Sequence, residues 1–234
     1  MWLVLADAND DEARWASQGL TRLGQETVEF VTAEDLALGQ LQHRLGPAGN
    51  EFEALLADGR QVASAEVSAV LNRLIGPPQG VFNDAAPADR AYAEQEWWAC
   101  TLGWLQALPG RIVNPAGPRG LCGAWRYPSE WRLLAHSAGL STAEYQAGAV
   151  EPIIDGQVLV IGNQALVAAG LEGLGRGCVR LAALAGTPLL EVWFTRAQGQ
   201  PFVVGATPLP RLSAGGDAAL RALARLLEGL AGAG

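Results

Sequence analysis

The 234-residue chain contains no lysine; all sixteen of its cationic side chains are arginine. A coding bias toward Arg, Ala, Gly and Leu explains such a composition, yet the chemical consequence holds whatever its origin. There is no Walker-type lysine, no amine for a Schiff base and no ammonium to cradle a nucleotide phosphate. Cysteine and histidine are scarce, at three and two. Cys100, Cys122 and Cys178 lie far apart, no C-x-x-C occurs, and His43 and His136 stand at no metal-ligand spacing from them. A disulfide framework and a zinc site are therefore not expected. No G-x-S-x-G is present, and "HSAG" around His136 is not a nucleophile elbow, which argues against a Ser or Cys hydrolase. No apolar run reaches the length of a membrane span. The opening "MWLVLADANDDE" turns acidic straight after a short apolar stretch, unlike a signal peptide. A net charge of −8 argues against nucleic acid or an anionic membrane as partner. The expected setting is a reducing cytoplasm.

What is there is core-forming material. Half the residues are hydrophobic, eight are Trp and only 17% are charged, as in a globular chain of one large or two small domains. "WLVLA" reads as a buried strand, "DDEARWASQGLTRLG" as a helix with acids in its first turn and a Gly stop, and "TVEFV" as a second strand. From "QLQHRLG" to "VSAVLNRL" the pattern is strand, strand, a turn at Asp58-Gly59, then strand. "GPPQGVFNDAAP" is a loop. From Asp89 a long helix places Trp97, Thr101, Trp104 and Leu108 on one stripe, with Trp98, Leu102 and Leu105 beside it. So wide an apolar face is a packing face rather than a cofactor box. "RIVN" is a short strand, and "PSEWRLLAHSAGL" a helix with Pro128 at its start and Gly139 at its end. "VEPIIDGQVLVIGNQALVAAG" reads as a hairpin with Asp155-Gly156 at its tip, "CVRLAALAG" as a short helix, "PLLEVWFTRAQGQPFVVGA" as another hairpin, and "GGDAALRALARLLEGL" as the closing helix. Strands and helices alternate, so the class is α/β.

Three pieces in this order resemble the ATP-grasp superfamily, above all the branch that modifies ribosomally made peptides. They are "VSAVLNRL", a strand ending in Arg73 before a long helix; "RIVNPAGP…SEWRLLAHSAGL"; and the final hairpin, Pro-x-Pro and helix. The resemblance implies a pre-ATP-grasp-like N-terminal α/β domain over residues 1–112 and a shortened ATP-grasp-like α+β part over 113–234. It also implies specific ligands. The family places a lysine just ahead of its "A…AGL" helix, which here falls at about Pro128, and a second on a lobe that would sit between Gly139 and Val150. Its magnesium ligands are an Asp on the penultimate strand and the Glu and Asn of "E-x-N-P". Those positions fall here at Trp193, Gly205 and Thr207. Trp and Gly supply no side-chain oxygen and Thr only a hydroxyl, while Mg²⁺ takes hard oxygen ligands, carboxylates above all. Without metal or lysine, phosphoryl transfer loses its main electrostatic support.

The remaining candidates are read from the residues. Arg73 either forks a carboxylate ligand or pairs with Asp89 or Glu94. Asn114, before Pro115, is a turn former or a ligand. The Gly-rich "AAGLEGLGRGCVR" is a flexible connection, or an anion loop flanked by Arg176 and Arg180. Glu191, in an apolar strand, faces solvent or is paired inward with Arg180. The expectation is a non-catalytic binding or accessory subunit in a peptide- or small-carboxylate-modifying pathway, with a protein or peptide partner, no tight binding of ATP or Mg²⁺, and homo-oligomerisation left open. The alternatives are an ATP-dependent carboxylate–amine ligase completed by Arg or by a second chain, and an unrelated small-molecule-binding α/β module.

Overall fold

A computed structural model describes residues 1–24, 26–47, 49–142 and 153–232. The chain divides into two compact units, Met1–Cys122 with Leu227–Gly234, and Gly123–Leu226.

The first unit is built on a parallel sheet. Strand β1 (Trp2–Ala6) pairs with β2 (Val28–Thr32) on one side and with β6 (Ala69–Asn72) on the other, and β6 pairs with β7 (Ile112–Val113), giving the order β2-β1-β6-β7. All five residues of β1 are buried, as expected of a central strand in a parallel sheet. Helix α1 (Asp11–Leu23) crosses from β1 to β2. Asp10 caps it by accepting from the Ala13 amide at 2.9 Å, and Gly24 ends it at a φ of 68°. A six-residue helix, α2 (Ala33–Leu38), then follows directly from β2, which the periodicity does not reveal. It is held by a reciprocal cap between Thr32 and Asp35.

Strands β3 (Gln40–Gly46), β4 (Gly49–Leu55) and β5 (Gln61–Ala63) form an antiparallel sheet, with the Asp58-Gly59 turn where expected. Helix α3 (Pro87–Gln106) begins two residues earlier than the Asp89 start read from the sequence, at a proline whose fixed φ suits the first helical position. Trp97, Thr101, Trp104 and Leu105 are buried, and Trp104 meets Phe52 of β4 edge-on with ring centroids 4.4 Å apart. The aromatic stripe is core. Its cost is polar: the Trp97 and Trp104 indole N–H groups and the Thr101 hydroxyl are buried with no hydrogen-bond partner among the described residues.

The second unit carries α4 (Pro128–Ser137), α5 (Gly175–Ala185), residues 216–226 of α6 (Gly216–Ala231) and an antiparallel sheet. Its strands are β8 (Gly156–Ile161), β9 (Gln164–Val167), β10 (Leu189–Ala197) and β11 (Gln200–Thr207), in the order β11-β10-β8-β9. The first hairpin corrects the sequence reading. Asp155 and Gly156 lead into β8, and the tip is Gly162-Asn163, between the paired Ile161 and Gln164, where Gly162 takes a φ of 59°. Two turn signals compete in that segment, and only the second is flanked on both sides by residues that pair. The Gly-rich stretch is a loop only over residues 168–171. A short 3-10 turn over Glu172–Leu174 runs into α5, and Gly177 is buried there against Leu140, where no side chain fits. The missing lobe expected between Gly139 and Val150 falls for the most part outside the described residues.

Truncating Trp104 to Ala should cost about 3–5 kcal/mol, read as a shift in the chemical denaturation midpoint. Trp104→Phe should cost far less, because it keeps most of the ring contact and deletes an unpartnered donor. Equal losses in the two variants would contradict this packing.

Candidate functional site

In the first unit the chain passes from β1 to β2 and then returns to the far side of β1 as β6. Strand order therefore reverses between β1 and β6, and the crevice beyond their carboxyl ends is where open α/β sheets meet ligands. Asp7 follows β1 there, and Asn72 and Arg73 end β6. Arg73 is only 5% exposed and pairs with neither Asp89 nor Glu94. Its Nε and Nη2 donate to Asp10 at 2.7 and 3.3 Å, a two-point fork on the carboxylate that also caps α1. A partner 63 residues away is supplied by the parallel pairing of β1 and β6, which no local pattern encodes. Asn72 donates to the Leu121 carbonyl at 2.6 Å and accepts from the Leu74 amide at 3.1 Å. Asn114 ends β7, fully buried and at a φ of 56°, a conformation Asn tolerates better than other side chains.

Asp7 carries the most perturbed carboxyl here. Burial pushes it up to about 6, and the neighbouring Glu34 and Asp10 carboxylates add repulsion. Burial raises the Cys122 thiol to about 11 and Cys178 to about 12, so neither is a thiolate nucleophile at neutral pH. An apolar cavity of about 210 Å³ lies elsewhere in this unit, lined by Leu105, Leu108, Pro109 and Ile112 among others. It is smaller than ordinary ligand sites and offers few polar anchors.

In the second unit, pairing between β10 and β11 sets Trp193 opposite Gly205 and Glu191 opposite Thr207, so these four residues share one face of the sheet. The two readings of Glu191 drawn from the sequence both need correction. It neither faces solvent nor meets Arg180: it is 2% exposed, and its partners come from its own strand and from the segment after β11. Trp193 Nε1 donates to Oε1 at 2.9 Å, the Arg211 amide donates to Oε2 at 2.7 Å, and Arg211 Nε lies 3.7 Å from Oε1. Arg211 Nη2 also donates to Gln157 of β8, the residue paired with Trp193 on its other side. A buried carboxylate needs such a set.

Gly205 lies against the Trp193 ring, where a Cβ would sit 3.4 Å away, in ordinary van der Waals contact. The Thr207 hydroxyl accepts from the Leu209 amide at 3.2 Å. Arg180 donates from Nε and Nη2 to the Ala138 carbonyl at 3.0 and 2.7 Å, closing the end of α4. Arg176 is exposed on the first turn of α5 and makes no hydrogen bond or ion pair among the described residues. Arg180 and Glu191 are thus not brought together. Asp7, Asp10, Gln157 and Arg211 were not singled out from the sequence. The two aspartates directly after an all-apolar strand were a usable signal; for Gln157 and Arg211 there was none.

The donor set on this face does not fit a magnesium ion. Of Glu191, Trp193, Gly205 and Thr207 only Glu191 is a carboxylate, and both of its oxygens already accept hydrogen bonds from Trp193 and Arg211. Among the described residues no group of three or more His, Cys, Asp or Glu side chains could hold a metal, and no helix is long and apolar enough to cross a membrane.

Stability should fall as pH rises from about 4 through about 6. A carboxyl whose pKa is raised on folding stays protonated longer in the folded state, so ionisation penalises the folded form. Denaturation midpoints across pH 4–7.5 should show this limb in the wild type and a flatter one in Asp7→Asn.

No family model and no curated protein matches the chain. Solved structures do. The macrocyclase MdnC from Microcystis aeruginosa MRC, bound with its precursor peptide MdnA, superposes with a TM-score of 0.71 at 11% identity, over 97% of this chain and 99% of that one. A ligase associated with ribosomally made, modified peptides from Chryseobacterium gregarium, in complex with ADP and a leader and core peptide, gives 0.69 at 10% identity, over 97% and 96%. The ligase PsnB, complexed with a minimal precursor, Mg and ADP, gives 0.68 at 15% identity, over 99% and 98%. The chain therefore has the α/β fold of the peptide-modifying ATP-grasp ligases.

Proposed function

We propose that the protein is a non-catalytic, ATP-grasp-like binding or accessory subunit that presents a peptide or a small carboxylate within a modifying pathway. The observation that carries this reading is the β10–β11 face. Trp193 and Gly205 stand opposite each other where the family resemblance puts metal ligands, and the carboxylate nearby is consumed internally. The chain also lacks any lysine to neutralise phosphate. Phosphoryl transfer rests on positioning and charge neutralisation, and no group of this kind is supplied by these residues. The peptide side of the proposal is supported by the fold neighbours crystallised with precursor peptides. In this reading residues 1–112 act as the pre-ATP-grasp part and residues 113–234 as a shortened grasp part. Arg176, exposed on α5, lines a binding surface, whereas Arg73 and Asn114 are buried and serve the fold; the three free cysteines sit in a reducing cytoplasm.

A second reading, a carboxylate–amine ligase completed by arginine or by another chain, is favoured by the fold neighbours that bind ADP and by the uncommitted Arg176. Calorimetry separates the two. The accessory reading predicts no magnesium-dependent binding of ATP at micromolar concentrations, and a micromolar, magnesium-dependent Kd for the chain alone would overturn it.

A further inference from the structure

Arg211 is held in an unusual way for a surface arginine. Its side chain is 65% exposed, yet its backbone amide and Nε both address Glu191, a carboxylate whose own side chain is only 3% exposed, and Nη2 is fixed by Gln157. The approach is stiff: Pro208 and Pro210 each lock a φ angle within three residues of it. Nη1 makes no hydrogen bond among the described residues. The result is a guanidinium with one edge anchored on β8 and β10 and the other presented to solvent. Holding a side chain this long in one geometry ordinarily costs entropy that an exposed ion pair does not recover. Here that cost is met during folding, by a buried carboxylate that would be unstable without its donors.

From this we infer that Arg211 is an oxyanion anchor, taking a carboxylate of a peptide ligand without metal or nucleotide. The guanidinium supplies a positive charge on a face where the resemblance implied a divalent cation, which these residues do not fit. A preorganised fork matches the two oxygens of a carboxylate and loses little further freedom when it binds. The local charge sets the ligand class. Glu191 already offsets the guanidinium, so the face suits a monoanion and disfavours a polyphosphate. The inference rests on the peptide-binding reading above and gives it a subsite.

The test is a titration of the full chain, followed by NMR of the arginine Nε–H groups. The probes are a capped triglutamate peptide, its triglutamine counterpart and inorganic phosphate. The triglutamate peptide should shift the Arg211 Nε–H resonance, assigned by its loss in Arg211→Gln. The triglutamine peptide should not, and phosphate should bind more weakly. Affinity for the acidic peptide should fall at least about tenfold in Arg211→Gln, and by about five- to tenfold in Arg211→Lys, which keeps the charge but not the fork. A cooperative thermal transition well above the titration temperature would show that both variants fold. Absence of triglutamate binding, equal binding by Arg211→Gln, or tighter binding of phosphate would overturn the assignment. If Arg211→Gln binds the acidic peptide as well as wild type does, the anchor fails while peptide binding stands. Micromolar binding of ATP with Mg²⁺ would instead defeat the accessory reading and leave the Arg211 comparison intact.

Discussion

A carboxylate buried in the middle of an antiparallel sheet constrains everything packed around it. Glu191 sits in β10 between β8 and β11, and ionised it must be met by donors or its desolvation would cost several kcal/mol. Two residues meet that requirement, Trp193 and Arg211, and Gln157 in turn accepts from the Arg211 guanidinium. Trp193 turns its indole N–H back along its own strand, with Gly205 opposite it across the ladder. The chain leaving β11 must then deliver the Arg211 amide to the second oxygen, and the Pro208-Leu209-Pro210 segment brings it there before α6 begins. Gln157 closes the set from β8. Trp193, the proline pair and Arg211 thus act together around Glu191 and use both of its carboxylate oxygens.

The first unit is organised around a second buried charge pair of different character. Asp10 serves two structures at once, capping α1 and gripping Arg73 at the end of β6, so the start of the helix and the reversal of strand order are tied together. Asp7 lies beside this pair with its proton held more firmly than usual. Both features stand at the carboxyl ends of parallel strands, the position from which such sheets meet their ligands. The two buried thiols, Cys122 and Cys178, are neutral at physiological pH.

Much of this was legible before any coordinates. The apolar run of β1, the four- and three-residue steps of α3 and the Leu repeat of α6 each carry one period strongly enough to identify the element. Local chemistry would have identified α2 as well, since Thr32 and Asp35 form a capping box, but six residues are too short for a hydrophobic period to show. The orientation of Glu191 was not legible, for a definite reason. The first four residues of β10 are all buried, so the strand lacks the alternation that tells an inward from an outward side chain. The partner of Arg73 was hidden by sequence separation, and the tip of the β8–β9 hairpin by a stronger-looking turn dipeptide seven residues upstream. The order of short motifs pointed to the fold correctly, because it follows the connection and spacing of the elements.

The central claim is that the β10–β11 face is closed by the Glu191–Trp193–Arg211 set and takes no divalent cation. The most direct measurement is paramagnetic broadening of the tryptophan indole N–H resonances by Mn²⁺ in the presence of ATP, with Trp193 assigned by its loss in Trp193→Phe. Manganese shares the oxygen preference of magnesium and broadens signals from nuclei near its site. A Trp193 resonance that stays as sharp as those of the other tryptophans is the predicted result. Selective broadening of Trp193 at low Mn²⁺ would contradict it and would restore a metal to this face.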